Sequence, residues 1–339
     1  MPNIAPDPMQ ETAVAVGVVY NARGEVLITR RHAHQHQGGL WELPGGKIEA
    51  SEDAWHALQR ELREELGLVV DQARPLIEIP WRYPDKIVRL QTWRVNAWHA
   101  ETGHDFSASS GVGREGQPWR WQAPSLLDPT QFPSANRSLL RAVQLPSRFL
   151  ITGPAHDFDQ WLQHLHAAYA RGLRWVQIRW PQAWSEVSYA QLKQRFKILR
   201  ARYPQAEKDA LGDPLRIIWN GDLDVAASLP VDGVHLNHHA LLECAVRPQF
   251  EWVSASCHNP EELHQAAQLG LDFVWLSPVL PTQSHPEAMG LGWETFAHWV
   301  REVQLPVYAL GGVAEAELAH AQAAGAQGVA AISAWWEIR

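Results

Sequence analysis

One stretch decides the fold of the first half of the chain: GKIEASE at residues 46–52, followed by RELREELGL at residues 60–68. It predicts a helix that starts at Ser51, whose hydroxyl can cap free backbone N–H groups. Gly67 suits the left-handed residue that ends a helix. We therefore expect a single strong helix here, in a half that is otherwise rich in strands.

Three carboxylates crowd one face of this predicted helix. Glu61, Glu64 and Glu65 stand at i, i+3 and i+4, a spacing at which unpaired like charges oppose helix formation. A bound divalent cation would reverse that penalty, and Mg²⁺ prefers such hard oxygen ligands. The alternative is a solvated acidic helix in which Arg60 and Arg63 only neutralise their neighbours.

Strands are predicted on both sides of the helix. Residues 13–20 and 25–29 form apolar runs around the turn sequence NARG at 21–24, which predicts a hairpin. Residues 87–98 return to strand character, and residues 107–117, rich in Ser and Gly, predict a loop.

The 46–68 motif matches the Nudix signature at every defining position, so the first half resembles that family. The resemblance implies an α/β/α sandwich with a mixed sheet over residues 1–144. It also implies an Mg²⁺-dependent nucleotide pyrophosphohydrolase, with Mn²⁺ as an alternative cation. Arg60 would then hold a glutamate in place, and Glu61 would be a ligand or a base. The implied metal ligands are the Gly46 carbonyl, Glu61, Glu64, Glu65 and Glu115.

Within that family the first half resembles the MutT-type enzymes that remove 8-oxo-dGTP. The segments that carry this are AVGVV at 15–19, ITRR at 28–31, WELPGGKIE at 41–49, REGQP at 114–118 and FPSAN at 132–136. The resemblance assigns substrate recognition to Asn136 and Arg31, and completion of the metal and water site to Glu115. Leu43 replaces the aromatic residue expected beside the base. An amide offers both a donor and an acceptor to a purine edge, although Asn136 could instead cap a loop.

After QLPS at residues 144–147, short apolar strands begin to alternate with amphipathic helices. This change of pattern places a domain boundary near Pro146. Repeated βα units indicate a parallel sheet, and eight of them favour a TIM (β/α)8 barrel over residues 148–339, with an open doubly wound sheet as the alternative. The eight predicted strands are 149–152, 175–179, 216–219, 233–236, 252–255, 273–276, 307–310 and 328–332.

This second half resembles thiamine-phosphate synthase and its TenI-like relatives, through VQIR at 176–179, IIWN at 217–220, DGVHL at 232–236, SPVLPT at 277–282 and ALGGV at 309–313. Several charges of the synthase pattern are missing. Trp180-Pro181 stands where a lysine is expected, Gly221 where an aspartate is expected, and His285 where another lysine is expected. NHHA at 237–240 replaces Gly-Gln-x-Asp. Asp222 could substitute only with a change of direction. We therefore predict no thiamine-phosphate synthase activity.

A phosphorylated small molecule remains a candidate ligand of the barrel. Gly311-Gly312 after strand seven and Ile332-Ser333 after strand eight sit where barrels often place a phosphate, and glycine backbone N–H groups can approach an anion closely. The alternative for Gly311-Gly312 is a tight turn, and the alternative for His258 is a core or rim histidine. The alternative for the whole second half is a mainly structural domain. The candidate residues are Arg179, Asn220, His258, Thr282, Gly311, Gly312 and Ser333.

Composition narrows the partners. A net charge of -8 argues against a nucleic-acid footprint. Two cysteines, Cys244 and Cys257, favour a reducing cytoplasm, and residues 1–12 lack a basic start before an apolar run, so we expect neither export nor a membrane partner. His32, His34 and His36 alternate without a carboxylate or cysteine partner, which disfavours a dedicated metal site.

Three functions compete at this stage. The first is removal of 8-oxo-dGTP, a nucleotide-sanitising activity that limits misincorporation. The second sends the same carboxylates against a damaged thiamine-pathway diphosphate. The third is a nucleotide-sensing module without catalysis, which the intact carboxylate set disfavours.

Overall fold

The computed structural model describes residues 11–34, 37–84, 86–180, 187–203, 214–282 and 290–336. The chain forms two compact units, Met1–Leu145 with Arg301–Gln304, and Pro146–Val300 with Leu305–Arg339. The domain limits expected from the sequence, 1–144 and 148–339, stay a prediction. His36 and His285 lie outside the described residues, as does Pro181.

The first unit is built from two four-stranded sheets and two helices. One sheet has the order β4-β1-β6-β5 and is mixed, because β1 and β6 run parallel while the other pairs are antiparallel. The second sheet, β3-β2-β8-β7, is antiparallel throughout. In chain order the elements are β1 Glu11–Val19, β2 Val26–Arg30, β3 Trp41–Glu42, β4 Gly45–Lys47, α1 Ala54–Leu66, β5 Leu68–Arg82, β6 Ile87–Ala100, β7 Ser110–Val112, β8 Pro118–Gln122 and α2 Arg137–Gln144.

Strand alternation places a core on each face of β1. Ala15 and Val19 share a buried cluster with the apolar side of α1, whereas Val16 and Val18 share another with α2. Side chains of a strand point alternately to opposite faces, so one strand feeds both cores. This is the helix–sheet–helix arrangement that the resemblance implied.

Two local predictions need correction. The turn at residues 21–24 forms, with the Asn21 N–H donating to the Glu25 carbonyl and an antiparallel bridge between Tyr20 and Val26, but the predicted hairpin does not extend into a ladder, because β1 and β2 belong to different sheets. The predicted loop at 107–117 contains β7, which pairs with β8. The ladder partners of β1 and β2 lie farther along the chain, where local turn composition does not encode them. Strands β7 and β8 instead form a short local hairpin, which the Ser and Gly content of the segment did not indicate.

The second unit is a closed barrel of eight parallel strands. Closure follows from the pairing of the last strand with the first, Ala330 with Phe149. The TIM barrel prediction is thereby confirmed over the open sheet. The elements are β9 Arg148–Ile151, α3 Phe158–Ala170, β10 Trp175–Arg179, α4 Tyr189–Arg202, β11 Arg216–Asn220, α5 Leu223–Ala226, β12 Gly233–Leu236, α6 His238–Glu243, β13 Trp252–Cys257, α7 Pro260–Gln268, β14 Phe273–Leu276, α8 Gly292–Val300, β15 Val307–Leu310, α9 Leu318–Ala323, β16 Gly328–Ala331 and α10 Ser333–Trp336.

Aromatic side chains fill part of the barrel interior. The ring of Phe149 lies 5.8 Å from Trp175 and 5.5 Å from Tyr308, and Trp175 lies 4.8 Å from Trp252. All four residues are at most 8% exposed. Several of the chain's tryptophans therefore serve as core packing. Within the described residues, no helix has the length and apolar character needed to span a bilayer.

Candidate active site

Helix α1 begins two residues later than the sequence suggested. Asp53, not Ser51, is the N-cap, and its carboxylate accepts a hydrogen bond of 2.9 Å from the His56 N–H. The helix ends as expected at Gly67, with φ 68°. Its buried face carries Leu58 and Leu62, which turns the acidic residues toward the side lined by β4.

Arg60 connects three carboxylates. Its guanidinium donates to Glu52 at 2.6 Å, to Glu61 at 2.9 Å and to Glu64 at 3.1 Å. A further hydrogen bond of 3.0 Å reaches the Lys47 carbonyl. The hydrogen bond to Glu52 is the main reason that the pKa of Arg60 is raised, with Glu61 and Glu64 adding to it. The planar fork of arginine suits such multiple recognition.

Glycines let the carboxylates approach the backbone. A Cβ on Gly46 would lie 2.2 Å from the carboxyl carbon of Glu61, so a larger residue would displace the Glu61 carboxylate. Gly45 has φ 146°, and a Cβ there would lie 2.1 Å from the Ala15 carbonyl oxygen. The close contact of Glu61 with the Gly46 backbone is therefore built into the motif.

Glu65 is a buried carboxylate with spare acceptor capacity. Its Oε2 atom has no hydrogen-bond partner among the described residues. Burial, together with the charges of Glu42, Glu61 and Glu115, raises the pKa of Glu65 to about 8. Burial likewise raises the pKa of Glu61. An orphaned oxygen amid like charges is a place where a divalent cation fits.

These carboxylates do not form a ready-made cage. No group of three or more His, Cys, Asp or Glu side chains in the described ranges already converges on one metal position. Arg60 instead holds Glu61 and Glu64 by hydrogen bonds. The donor set fits a hard cation, and binding one would draw the free oxygens of these carboxylates closer together.

The predicted ligand Glu115 lies on the turn between β7 and β8, and its side chain is exposed. The backbone N–H of Arg114 donates to the Glu65 carbonyl at 2.7 Å, and Gln117 Nε2 reaches the same oxygen at 3.3 Å. The turn is thus fastened to the end of α1, which brings Glu115 close enough to act electrostatically on Glu61 and Glu65.

The predicted base-recognition residues differ in their surroundings. Arg31 Nη1 donates to Glu42 Oε2, and burial raises the pKa of Glu42. Asn136 is half-buried, and among the described residues its amide makes no hydrogen bond, so it does not cap helix α2. Leu43 is 4% exposed and packs in the core with Phe132, so its contact with substrate stays a prediction. Sequence analysis did not predict a role for Glu42, although Glu42 lies next to Leu43 in the motif.

Two other features of the first unit lie outside this carboxylate set. A cavity of about 510 Å³, lined by residues including Tyr20, Asn96, Trp98 and Phe106, contains none of the carboxylates. The His32 and His34 rings stack with centroids 5.5 Å apart.

In the barrel, the candidate residues lie at or after the carboxyl ends of strands, which meet at one mouth. Arg179 ends β10, Asn220 ends β11, His258 follows β13, Gly311 and Gly312 follow β15, and Ser333 follows β16. Thr282 lies after β14. His258 is exposed, and its Nδ1 lies 2.8 Å from the Ser277 carbonyl oxygen.

The departures from the synthase pattern have structural consequences. Asp222 caps α5, with Oδ1 accepting from the N–H groups of Asp224 and Val225 at 2.8 and 3.0 Å. Asn237 caps α6 by accepting from the Ala240 N–H at 2.9 Å. One oxygen of Asp222 is therefore used as a helix cap, and whether Asp222 replaces the missing carboxylate at Gly221 stays a prediction.

Two polar side chains inside the barrel were not predicted from the sequence. His235 is 2% exposed, lies 2.9 Å from Ser254 Oγ and 2.8 Å from Ser256 Oγ, and stacks on Trp275. The Gln177 amide is fully buried and finds no hydrogen-bond partner among the described residues. Period-two alternation along β10 and β12 could have placed both side chains inward.

Comparison with known proteins agrees with this division. Residues 15–142 match the family described as NUDIX domain, and residues 149–335 match the one described as Thiamine monophosphate synthase. The 8-oxo-dGTP diphosphatase of Escherichia coli (strain K12) is 34% identical over 132 residues, which cover 39% of this chain and 95% of that protein. The 8-oxo-dGTP diphosphatase of Haemophilus influenzae (strain ATCC 51907 / DSM 11121 / KW20 / Rd) is 37% identical over 127 residues, 38% of this chain and 87% of that protein.

The second unit has its own relatives. The putative thiamine-phosphate synthase 2 of Aquifex aeolicus (strain VF5) is 30% identical over 198 residues, which cover 58% of this chain and all of that protein. Nudix enzymes generally need a divalent metal, in keeping with the acidic face of α1. The chain accordingly belongs to the Nudix family through its first unit, which makes it a hydrolase of diphosphate bonds, and to the thiamine monophosphate synthase family through its second.

Proposed function

We propose that the first unit hydrolyses 8-oxo-dGTP to 8-oxo-dGMP and diphosphate with Mg²⁺, Mn²⁺ being an alternative cation. The observation that carries the metal site is the buried, unpartnered oxygen of Glu65 beside Glu61 and Glu115. The observation that carries the substrate is the 34% identity with an 8-oxo-dGTP diphosphatase over nearly that enzyme's whole length.

Each residue of the site is assigned a separate role. The Gly46 carbonyl, Glu61, Glu64, Glu65 and Glu115 would hold the cation. When bound, the ion neutralises phosphate charge and activates water for attack on phosphorus. Arg60 positions Glu61 and Glu64 through the hydrogen bonds already described. Glu61 is either a ligand or the base that accepts the proton of the attacking water.

Asn136 and Arg31 would read the base. The Asn136 amide is half-buried and has no partner among the described residues, so its donor and acceptor are available to a purine edge. Arg31 is held by Glu42, which fixes the direction of its guanidinium. Discrimination then arises because the wrong base leaves a polar group unpaired.

The test compares kcat/KM of the full chain on 8-oxo-dGTP, dGTP and a thiamine-type diphosphate in Mg²⁺. We expect strong preference for 8-oxo-dGTP and loss of activity in Glu64→Gln. Preference for the thiamine compound would support the second function, which the presence of a thiamine monophosphate synthase domain at 149–335 motivates. Nucleotide binding without turnover would instead indicate a sensing module.

For the barrel we propose binding of a phosphorylated small molecule without synthase activity. Support comes from the unpartnered Gln177 amide in the interior and from the commitment of Asp222 to a helix cap. Incubation of the full chain with pyrimidine diphosphate and thiazole phosphate should yield no thiamine phosphate. Turnover would overturn this proposal without touching the hydrolase.

A further inference from the structure

Glu101, just after β6, joins two arginines from segments that are distant in sequence. Its Oε1 accepts from Arg63 Nε of helix α1 at 2.5 Å, and its Oε2 pairs with Arg114 Nη2 at 2.5 Å. Its backbone N–H donates to the Gly67 carbonyl at 2.8 Å. One carboxylate thus connects the helix that bears the acidic face with the turn that bears Glu115.

Arg114 uses its whole fork in this arrangement. Besides Glu101, its Nη1 donates to the Arg63 carbonyl at 3.1 Å and its Nε to His104 Nε2 at 2.8 Å. Gly67 makes room for the histidine, because a Cβ there would lie 2.5 Å from the His104 ring. The terminal glycine of the motif therefore ends the helix and also admits the imidazole that contacts Arg114.

The contacts of Glu101 and Arg114 counteract electrostatic repulsion between carboxylates. The Arg114 N–H and Gln117 Nε2 both donate to the Glu65 carbonyl, which holds the turn with Glu115 against the end of α1 that carries Glu61 and Glu65. Like charges brought together in this way repel one another. In the absence of a cation that repulsion would drive the exposed turn away from the helix. A single exposed ion pair contributes little, but a two-sided carboxylate with an arginine fork restricts direction as well as distance.

We propose that Glu101 and Arg114 are positioning residues, which hold Glu115 at the distance from α1 that cation binding and hydrolysis require. The proposal rests on the proposed function, in particular on the role of Glu115. It assigns to two residues outside the Nudix motif the task of setting the geometry of the site.

A double-mutant cycle on the full chain tests this, with hydrolysis of 8-oxo-dGTP followed over a range of Mg²⁺ concentrations. Glu101→Gln should lower kcat about tenfold, leave the nucleotide KM within about twofold and raise the Mg²⁺ midpoint. In the Glu115→Gln background the same change should have no further effect, because Glu101 would act only through Glu115.

Arg114→Lys should rescue little, since an ammonium group cannot reach Glu101, His104 and the Arg63 carbonyl together. Glu11→Gln is the matched control, because Glu11 also accepts from an arginine, Arg89, at 2.6 Å. It should leave kcat and the Mg²⁺ midpoint unchanged.

Three results would overturn the proposal. Additive losses in the double variant would show that Glu101 does not act through Glu115. A Glu101→Gln enzyme with normal kcat and Mg²⁺ midpoint would show that the fastening is not needed. A fully active Glu115→Gln enzyme would instead locate the failure in the proposed function, because Glu115 would then have no role to be positioned for.

Discussion

The acidic face of α1 and the mouth of the barrel are both sites built at the ends of regular elements, yet they differ in charge. On α1, Arg60 donates to Glu61 and Glu64, and Gly46 of β4 lies against the Glu61 carboxylate. At the barrel mouth, Arg179 and Asn220 keep their places at strand ends, but Gly221 and Ala240 stand where the synthase pattern has carboxylates. A fold can persist while the charges that its chemistry needs are lost.

The difference also shows in how the remaining polar groups are used. Glu65 retains a buried oxygen without a partner among the described residues, whereas Asp222 at the barrel mouth uses its Oδ1 atom to cap α5. An unsatisfied buried group has an energetic cost, and a bound cation would offset that cost at Glu65. The comparison predicts large effects on α1 and smaller ones in the barrel.

The largest effect is expected for Glu65→Gln. It should lower kcat/KM by about 10³-fold or more, because a metal ligand is lost. It should also raise the Tm of the metal-free protein, since a buried carboxylate among like charges becomes neutral. Glu78→Gln, a half-buried glutamate paired with Arg89, is the control. Retained activity or a lowered Tm would contradict the assignment.

Arg60→Ala should have the next largest effect, a fall in kcat/KM of about 100-fold, because Glu61 and Glu64 lose the group that orients them. Arg60→Lys should recover little, since one ammonium group cannot contact three carboxylates and the Lys47 carbonyl. Steady-state kinetics in saturating Mg²⁺ measure both. Full recovery by lysine would mean that charge alone, without direction, is sufficient.

Asn136→Ala should reduce the preference for 8-oxo-dGTP over dGTP by roughly ten- to a hundredfold, the value of one lost polar contact. Its Tm should hardly change, because the amide makes no hydrogen bond with the described residues. Asn96→Ala provides an exposed asparagine as a control. If the Tm falls and the preference does not, Asn136 has a structural role instead.

The barrel should show a pH dependence of stability instead of a loss of hydrolysis. Burial, with a contribution from Arg179, lowers the pKa of His235 from 6.5 to about 3. The unfolded chain therefore takes up a proton below pH 6.5 that the folded barrel refuses until about pH 3. Stability should be full above pH 6.5 and fall toward pH 3, at most by about 1.4 kcal/mol per pH unit.

Denaturant unfolding of the full chain between pH 4 and 7, followed by the signal of the barrel transition, measures this slope. His235→Gln should reduce the slope, whatever its effect on absolute stability. Hydrolysis of 8-oxo-dGTP at pH 7 should be unchanged in the same variant. An identical slope in both proteins would show that protonation of His235 does not cause the pH dependence of stability.

Local chemistry made much of the molecule predictable. The eight barrel strands were placed within two residues of their observed ends, because short apolar runs between turn residues are a strong signal. Gly67 was correctly predicted as the helix end, because glycine readily adopts the left-handed conformation that ends a helix. The cap at Ser51 was missed by two positions, since Asp53 offers an equally good acceptor and local sequence does not rank the two.

Most secondary-structure elements and the identity of the carboxylates follow from local sequence, because periodicity, caps and motif spacing act over a few residues. Which distant groups meet depends on tertiary contacts. Glu101 and Arg63 lie 38 positions apart, and Arg114 and the Arg63 carbonyl lie 51 apart. The separation of β1 and β2 into different sheets, the closure of the barrel and the burial of Glu65 depend on such long-range contacts, which no local pattern encodes.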